Sequence, residues 1–185
     1  MKSKLPQGVK TSKKIKKFTQ IRNFKIENEM HTATSMIIQK CKEYGIMTIV
    51  CGYNAGWKQN VSIGKINNQN FVSIPYCKLI NMLKYKCEIA GIKFIVTREA
   101  YTSKCSAMDL ETICKHQTYI GSRVNRGQFT HTRGIINADC NGALNILRKV
   151  AGDSIFTTDK NGKLVVGYAV SPLRFNINWN LTTKI

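Results

Sequence analysis

The chain has 185 residues, 43% of them hydrophobic, which suits one domain with a real core and is too little for two large ones. Twenty-nine Lys and Arg against ten Asp and Glu give a formal net charge of +19, which would repel itself in a compact domain unless a polyanion is the usual partner. Nucleic acid is therefore the first partner class, with a solvated basic surface or an anionic membrane face as the alternatives. No apolar run reaches the roughly 18 residues a membrane helix needs, and the N-terminal stretch lacks the apolar core of a signal peptide. An intracellular (cytoplasmic) protein with no membrane contact is expected, its seven cysteines reduced.

Residues 1–20 hold the basic cluster Lys10-Thr-Ser-Lys-Lys-Ile-Lys-Lys17 and read as an arm or a frayed helix start. From Arg22 to Tyr44, Phe24, Met30, Ile37, Ile38 and Cys41 recur near helical spacing, and Gly45 sits where a left-handed cap would end the helix. Ile46 to Cys51 reads as a short buried strand, and Gly52 to Asn70, rich in Gly and Asn, as a loop. Pro75 opens a second helix through Leu79, Ile80, Leu83, Cys87 and Ile89 to Gly91, and Ile92 to Thr97 follows as a second strand. That alternation implies a partly parallel sheet covered by helices. Residues 99–135 are polar and read as an insertion or flexible lobe. A helix from Asp139 to Lys149 follows, with Ala143, Ile146, Leu147 and Val150 on one face, and then Leu164 to Tyr168. No internal repeat is visible.

Magnesium prefers carboxylate, water and phosphate oxygens, and a two-metal nuclease needs several carboxylates converging from separate elements. Glu99 lies just past a strand end and Asp139 at a helix start, both places where α/β sites form. An aspartate in a first helical turn is equally a routine partner of the macrodipole, so spacing alone leaves both readings open. Trp57 with Lys58, and Tyr101 with Lys104, pair an aromatic face with a cation as single-strand binding sites do; either aromatic could instead be core. Lys14, Lys17, Arg22, Arg123, Arg126 and Arg133 are candidates for phosphate contacts, with solvated loops as the rival reading. His31 reads as a core or interface histidine.

Phe71-Val-Ser-Ile-Pro-Tyr76, Met82-Leu-Lys-Tyr-Lys86, Gly91-Ile92, Glu99-Ala-Tyr-Thr-Ser-Lys-Cys-Ser106 and Asn137-Ala-Asp-Cys-Asn-Gly-Ala-Leu-Asn-Ile146 together resemble the C-terminal half of the TnpB/OrfB family of transposon-encoded, RNA-guided DNA nucleases. Met30-His31 and Ala55-Gly-Trp-Lys-Gln59 extend the likeness over about residues 20–175. The resemblance implies an α/β fold of RNase H-like (RuvC) type, a mixed sheet with flanking helices, in which three acidic residues bind Mg2+ or Mn2+. Asp139, in Asp-x-Asn-Gly-Ala, matches the third acid. Gly52-Tyr-Asn54 stands where the family usually has the second, and the resemblance implies that Glu99 replaces it, as in members with the acid at the end of the next strand.

The first acid belongs to a strand preceding Met1, and no Asp or Glu occurs before Glu27, so an N-terminally truncated domain with its first strands missing is expected. The family's four-cysteine zinc ribbon is reduced to Cys105, with Met108 at its second position; a mixed site of Cys105, Cys114, His116 and His131 can be drawn, but Zn2+ is not expected. The implied layout is a basic arm (1–20), the first part of the nuclease domain (21–98), a polar insertion in place of the ribbon (99–135), the last motif helix and C-terminal segment (136–175), and a tail (176–185). The implied function is metal-dependent hydrolysis of DNA under a guide RNA, in an incomplete, weak or inactive form with Glu99 and Asp139 as its catalytic acids. The alternatives are a nuclease-dead DNA- or RNA-binding protein, a remnant without function, and a split enzyme completed by a separately encoded N-terminal fragment.

Overall fold

The computed structural model describes residues 11–54, 75–158 and 164–165. They form a mixed α/β structure in two compact units, one drawn from residues 1–47, 75–92 and 177–185, the other from residues 48–74 and 93–176. Trp57, Lys58, the Ala55–Gln59 motif, most of the 52–70 loop, the start of the Phe71–Tyr76 motif, residues 1–10 of the 1–20 arm and the 166–185 segment lie outside the described residues.

The first unit is a pair of helices. Helix α1 spans Lys13–Glu43, and the Ser12 hydroxyl caps it by accepting from the Ile15 amide at 3.3 Å. The helix thus begins well before Arg22, and the second half of the expected basic arm is helical, because nothing between Ser12 and Gly45 breaks a helix. Lys40 and Lys42 in its last turn suit the negative end of the macrodipole. Gly45, at φ +64°, then reverses the chain so that the Ile46 amide donates back to the Cys41 carbonyl at 2.7 Å. Helix α2, Tyr76–Ile89, ends the same way: Gly91 is at φ +69° and the Ile92 amide donates to the Cys87 carbonyl at 2.9 Å.

Between the helices Ile38, Cys41, Met82, Leu83 and Cys87 are buried. Beside them the Lys86 ammonium donates to the His31 carbonyl (2.7 Å) and to the Thr34 (2.8 Å) and Ser35 (2.7 Å) hydroxyls. Burial lowers the pKa of Lys86, and these three acceptors compensate its lost hydration. Tyr85 Oη lies 3.5 Å from His31 Nδ1, so His31 belongs to this helix–helix seam. Lys78 pairs with Glu27 at 2.6 Å, so α2 starts alongside the middle of α1 and both run in the same direction.

The second unit begins with two parallel strands, β1 (Thr48–Gly52) and β2 (Lys93–Thr97), in register from Thr48 opposite Lys93 to Gly52 opposite Thr97. Residues 99–135 are not a flexible lobe. They contribute to a three-stranded antiparallel sheet, β3 (Ser122–Asn125), β4 (Gln128–His131) and β5 (Gly134–Asn137), laid over a core of Ala107, Phe129, Ile136, Ala138, Leu144 and Phe156. Helix α3 (Ala138–Ala151) follows, then a short 3-10 turn and a two-stranded ribbon, β6 (Thr157–Thr158) with β7 (Leu164–Val165).

The buried stripe of α3 also differs from the apolar face read from the sequence. Ala138, Asn141, Leu144, Asn145 and Arg148 are inside, whereas Ala143, Leu147 and Val150 are exposed and Ile146 is half-buried. The reason is hydrogen bonding. The turn-rich segment 102–111 has backbone groups that no strand or helix satisfies, and α3 supplies the side chains that do.

Candidate functional site

Asn141 and Asn145 are fully buried, at 0% exposure each. Asn141 Oδ1 accepts from the Ala107 amide (2.8 Å), and its Nδ2 donates to the Cys105 carbonyl (2.9 Å). Asn145 Nδ2 donates to the Thr102 (2.9 Å) and Cys105 (2.7 Å) carbonyls, while Arg148 Nη1 donates to Asn145 Oδ1 (2.8 Å) and to the Glu111 carbonyl (3.0 Å). The Glu111 carboxylate accepts from the Ser106 amide (2.7 Å) and the Ile120 amide (3.0 Å). Asp109 accepts from the Ser106 hydroxyl (2.6 Å) and the Thr132 amide (3.3 Å), and takes a further bond from the Thr132 hydroxyl. It therefore ties the Cys105–Asp109 turn to the β4–β5 turn.

Arg148 Nε donates to Asp153 at 2.6 Å. Three carboxylates of this unit, Asp109, Glu111 and Asp153, are thus engaged in holding the chain together. Glu99 and Asp139 make no side-chain hydrogen bond or ion pair among the described residues.

Glu99 follows β2 and its side chain crosses to the end of β1. A Cβ on Gly52 would lie 2.8 Å from Glu99 Oε2, 3.1 Å from Glu99 Cβ and 2.6 Å from Ile146 Cδ1, so glycine at 52 leaves the room that Glu99 and α3 fill. The carboxylate is close enough to raise the Cys51 thiol pKa, an effect second to burial. The β1–β2 ladder continues past Gly52 with the Tyr53 amide donating to the Thr97 carbonyl at 2.8 Å. Asn54, two residues beyond the end of β1, has a buried Oδ1 with no hydrogen-bond partner among the described residues.

Asp139 is exposed in the first turn of α3, but it is not the cap. Asn137 fills that role, its Oδ1 accepting from the Asp139 (2.9 Å) and Cys140 (3.2 Å) amides. Asp139 and Ile146 are seven residues apart, which puts them on nearly one side of α3 about 10 Å along its axis. Gly142 lies between them on that side, and a Cβ there would meet nothing within 4 Å. The two carboxylates thus flank an open stretch of helix surface. No group of three or more His, Cys, Asp or Glu side chains able to hold a metal ion occurs among the described residues.

Cys105 Sγ donates to the Cys114 carbonyl (3.5 Å), and Cys114 Sγ lies 3.4 Å from His116 Nε2. All the described cysteines are free thiols, and burial pushes Cys41, Cys51, Cys87, Cys105 and Cys140 up, away from thiolate chemistry.

The nucleic-acid candidates fall on several elements. Lys14, Lys17 and Arg22 are exposed on the first half of α1. Arg123 is on β3, Arg126 in the β3–β4 turn and Arg133 in the β4–β5 turn at the opposite end of the small sheet. Tyr101, at φ +65° and 40% exposed, does not pair with Lys104; the Lys104 ammonium lies 5.9 Å from the centre of the Tyr119 ring, against which His116 packs edge-on at 5.3 Å. Sequence reasoning missed Tyr119, and it missed Asn141, Asn145 and Arg148 because buried polar side chains leave no hydropathy signal. Their spacing along one helix side was the available clue.

Residues 76–146 match the family model described as Cas12f1-like, TNB domain. No curated protein gives a significant match. Among solved structures the chain is similar to one in "Cryo-EM structure of the Cas12f1-sgRNA-target DNA complex", with a TM-score of 0.56 and 20% identity, over 72% of this chain and 36% of that one. The chain therefore spans about a third of that protein's length, and at this identity the likeness is one of fold. The family model and the fold together support the sequence resemblance, over the part of the chain they cover, to the TnpB/Cas12f-like family of RNA-guided nucleases.

Proposed function

We propose that this chain is the nuclease part of a TnpB-like, RNA-guided DNA endonuclease of RNase H-like (RuvC) type, with DNA and a guide RNA as partners, and that alone it cuts DNA weakly or not at all. One observation carries the reading: in the second unit, Asp109, Glu111 and Asp153 are engaged by the fold, while Glu99 and Asp139 are left unpaired on the side of α3 that meets the strand ends. Among the described residues Glu99 has no partner that would give it a structural use, and Asp139, beyond its place near the positive end of the α3 macrodipole, has none either. The two candidate ligands, Glu99 and Asp139, offer only hard oxygens, which suit Mg2+ or Mn2+ and not a soft metal. A divalent ion held there would neutralise phosphate charge and lower the pKa of a bound water. Glu99 is oriented by its seat against Gly52 and Ile146, and Asp139 by the Asn137-capped turn. Two carboxylates fall short of a complete two-metal set, which is why weak activity is expected. The fold neighbour was solved with sgRNA and target DNA, in keeping with these partners.

The test is Mn2+ binding followed by electron paramagnetic resonance, alongside cleavage of labelled DNA in Mg2+. Binding of Mn2+ that weakens at least tenfold in both Glu99→Gln and Asp139→Asn, with little or no cutting, is expected. Equal Mn2+ binding by the wild type and the double variant removes the metal site. Rapid cutting that Asp139→Ala abolishes overturns the weak-alone part. A nuclease-dead nucleic-acid binder is the second reading, favoured by the lack of a three-ligand group among the described residues; it predicts salt-dependent strand binding with no specific Mn2+ site.

A further inference from the structure

The first half of α1 is a helix with nothing buried on it. The buried residues of α1 are Thr34, Ile38 and Cys41, and α2 begins alongside Glu27, so Lys13–Ile26 extends about 20 Å beyond the helix pair's contact. It carries Lys13, Lys14, Lys16, Lys17, Arg22 and Lys25 with no acid before Glu27, and Glu27 is itself neutralised by Lys78. On the same stretch Phe18 is 50% exposed, Ile21 41% and Phe24 66%.

The arrangement of these residues distinguishes the possible partners. At about 100° per residue, Phe18, Ile21 and Phe24 fall within an arc of about 120°, and Lys14, Lys17 and Lys25 fall inside that same arc. Lys13 and Arg22 flank it. A membrane-surface helix separates its apolar and basic faces, and a helix for a protein groove presents an unbroken apolar stripe. Duplex phosphates need cations but no exposed rings. Interleaved cations and aromatics suit a strand whose phosphates and unstacked bases alternate along its length.

Resting on the reading that the chain binds nucleic acid, we propose that Lys13–Lys25 is a docking helix for a single nucleic-acid strand, on which Lys14, Lys17 and Arg22 hold phosphates and Phe18 and Phe24 stack on bases. Anisotropy of labelled single-stranded RNA, single-stranded DNA and a duplex of equal length, on the full chain, tests it. Two variants are compared with wild type: Lys14→Gln/Lys17→Gln/Arg22→Gln, and Phe18→Leu/Phe24→Leu, which keeps the helix and its apolarity. Both should weaken single-strand binding at least tenfold with helix content by circular dichroism unchanged. The charge variant should also lower the slope of log K against log salt by about 2, and the leucine variant should leave duplex binding unaltered. The two single-strand arms identify RNA or DNA as the strand taken.

If wild type binds strands and both variants bind equally well, this helix is not the site, and nucleic-acid binding itself survives. An effect of the charge variant alone, equal on duplex and single strand, overturns the single-strand assignment, as does preferential capture by anionic vesicles. If wild type binds no nucleic acid even at low salt, the underlying reading fails as well.

Discussion

The two units are held together by opposite means. In the first, α1 and α2 meet through Ile38, Cys41, Met82, Leu83 and Cys87, with Lys86 as a polar clamp beside them and the exposed Lys78–Glu27 pair and Tyr85–His31 contact at the rim. In the second, Asn141, Asn145, Arg148, Glu111 and Asp109 are structural, and each satisfies backbone or hydroxyl groups of a segment that has little regular structure. Apolar contact tolerates substitution of similar volume. A buried polar network fails when one member is removed, because its partners stay buried and unpaired.

The largest effect is therefore expected from Asn145→Ala, which leaves the Thr102 and Cys105 carbonyls and an Arg148 N–H short of a partner. We expect a loss of about 3 kcal/mol in urea unfolding, with hydrogen exchange rising over residues 102–111 and unchanged in α1 and α2. If α1 and α2 lose protection too, the units do not have separate stabilities and the comparison breaks. Gly52→Ala comes next: its Cβ would meet Ile146 and Glu99 below contact distance, for a cost of about 2 kcal/mol, and Mn2+ binding should fall with it. A stable variant with unaltered Mn2+ binding would show that Glu99 needs no such seat.

In the first unit Lys86→Met should cost less, about 1 kcal/mol, since the methionine keeps the apolar stem and the Thr34 hydroxyl still donates to the Met30 carbonyl at 2.7 Å. A loss as large as that of Asn145→Ala would mean that both units depend on polar clamps. The smallest effect is a pH dependence. Burial pushes the Asp109 carboxyl up, but hydrogen bonds from Ser106 and Thr132 outweigh it and hold the pKa below its ordinary 3.8. Its stabilising contribution is thus present above about pH 4 and lost as pH falls through the lowered value. Asp109→Asn should flatten acid unfolding of the β3–β5 sheet below pH 4, measured by hydrogen exchange at graded pH. An identical acid profile in the variant would assign acid sensitivity to other groups.

The same contrast explains what the sequence made legible. Both α1 and α2, their glycine caps and the two parallel strands follow from periodic apolar residues ending at Gly45 and Gly91. The start of α1 was missed by nine residues, because its first half is helical without burying anything, and hydrophobic periodicity cannot report a helix that has no buried side. The 99–135 segment looked polar because its order comes from side chains donated by α3. Phe129, its main buried ring, is one apolar residue in a polar stretch. Of the site, Glu99 and Asp139 were nameable from resemblance, whereas their lack of partners and the open surface beside Gly142 required coordinates.

Gly52 and Glu99 also form a linked pair of positions. The volume that a side chain at 52 would enter is the volume the Glu99 carboxylate holds, so the one negative charge at this strand end can be delivered from either strand, but not from both. A lineage moving the acid from one strand to the other must pass through a chain with none or a chain with two. The first places no charge at this strand end, and the second forces two carboxylates together in one space.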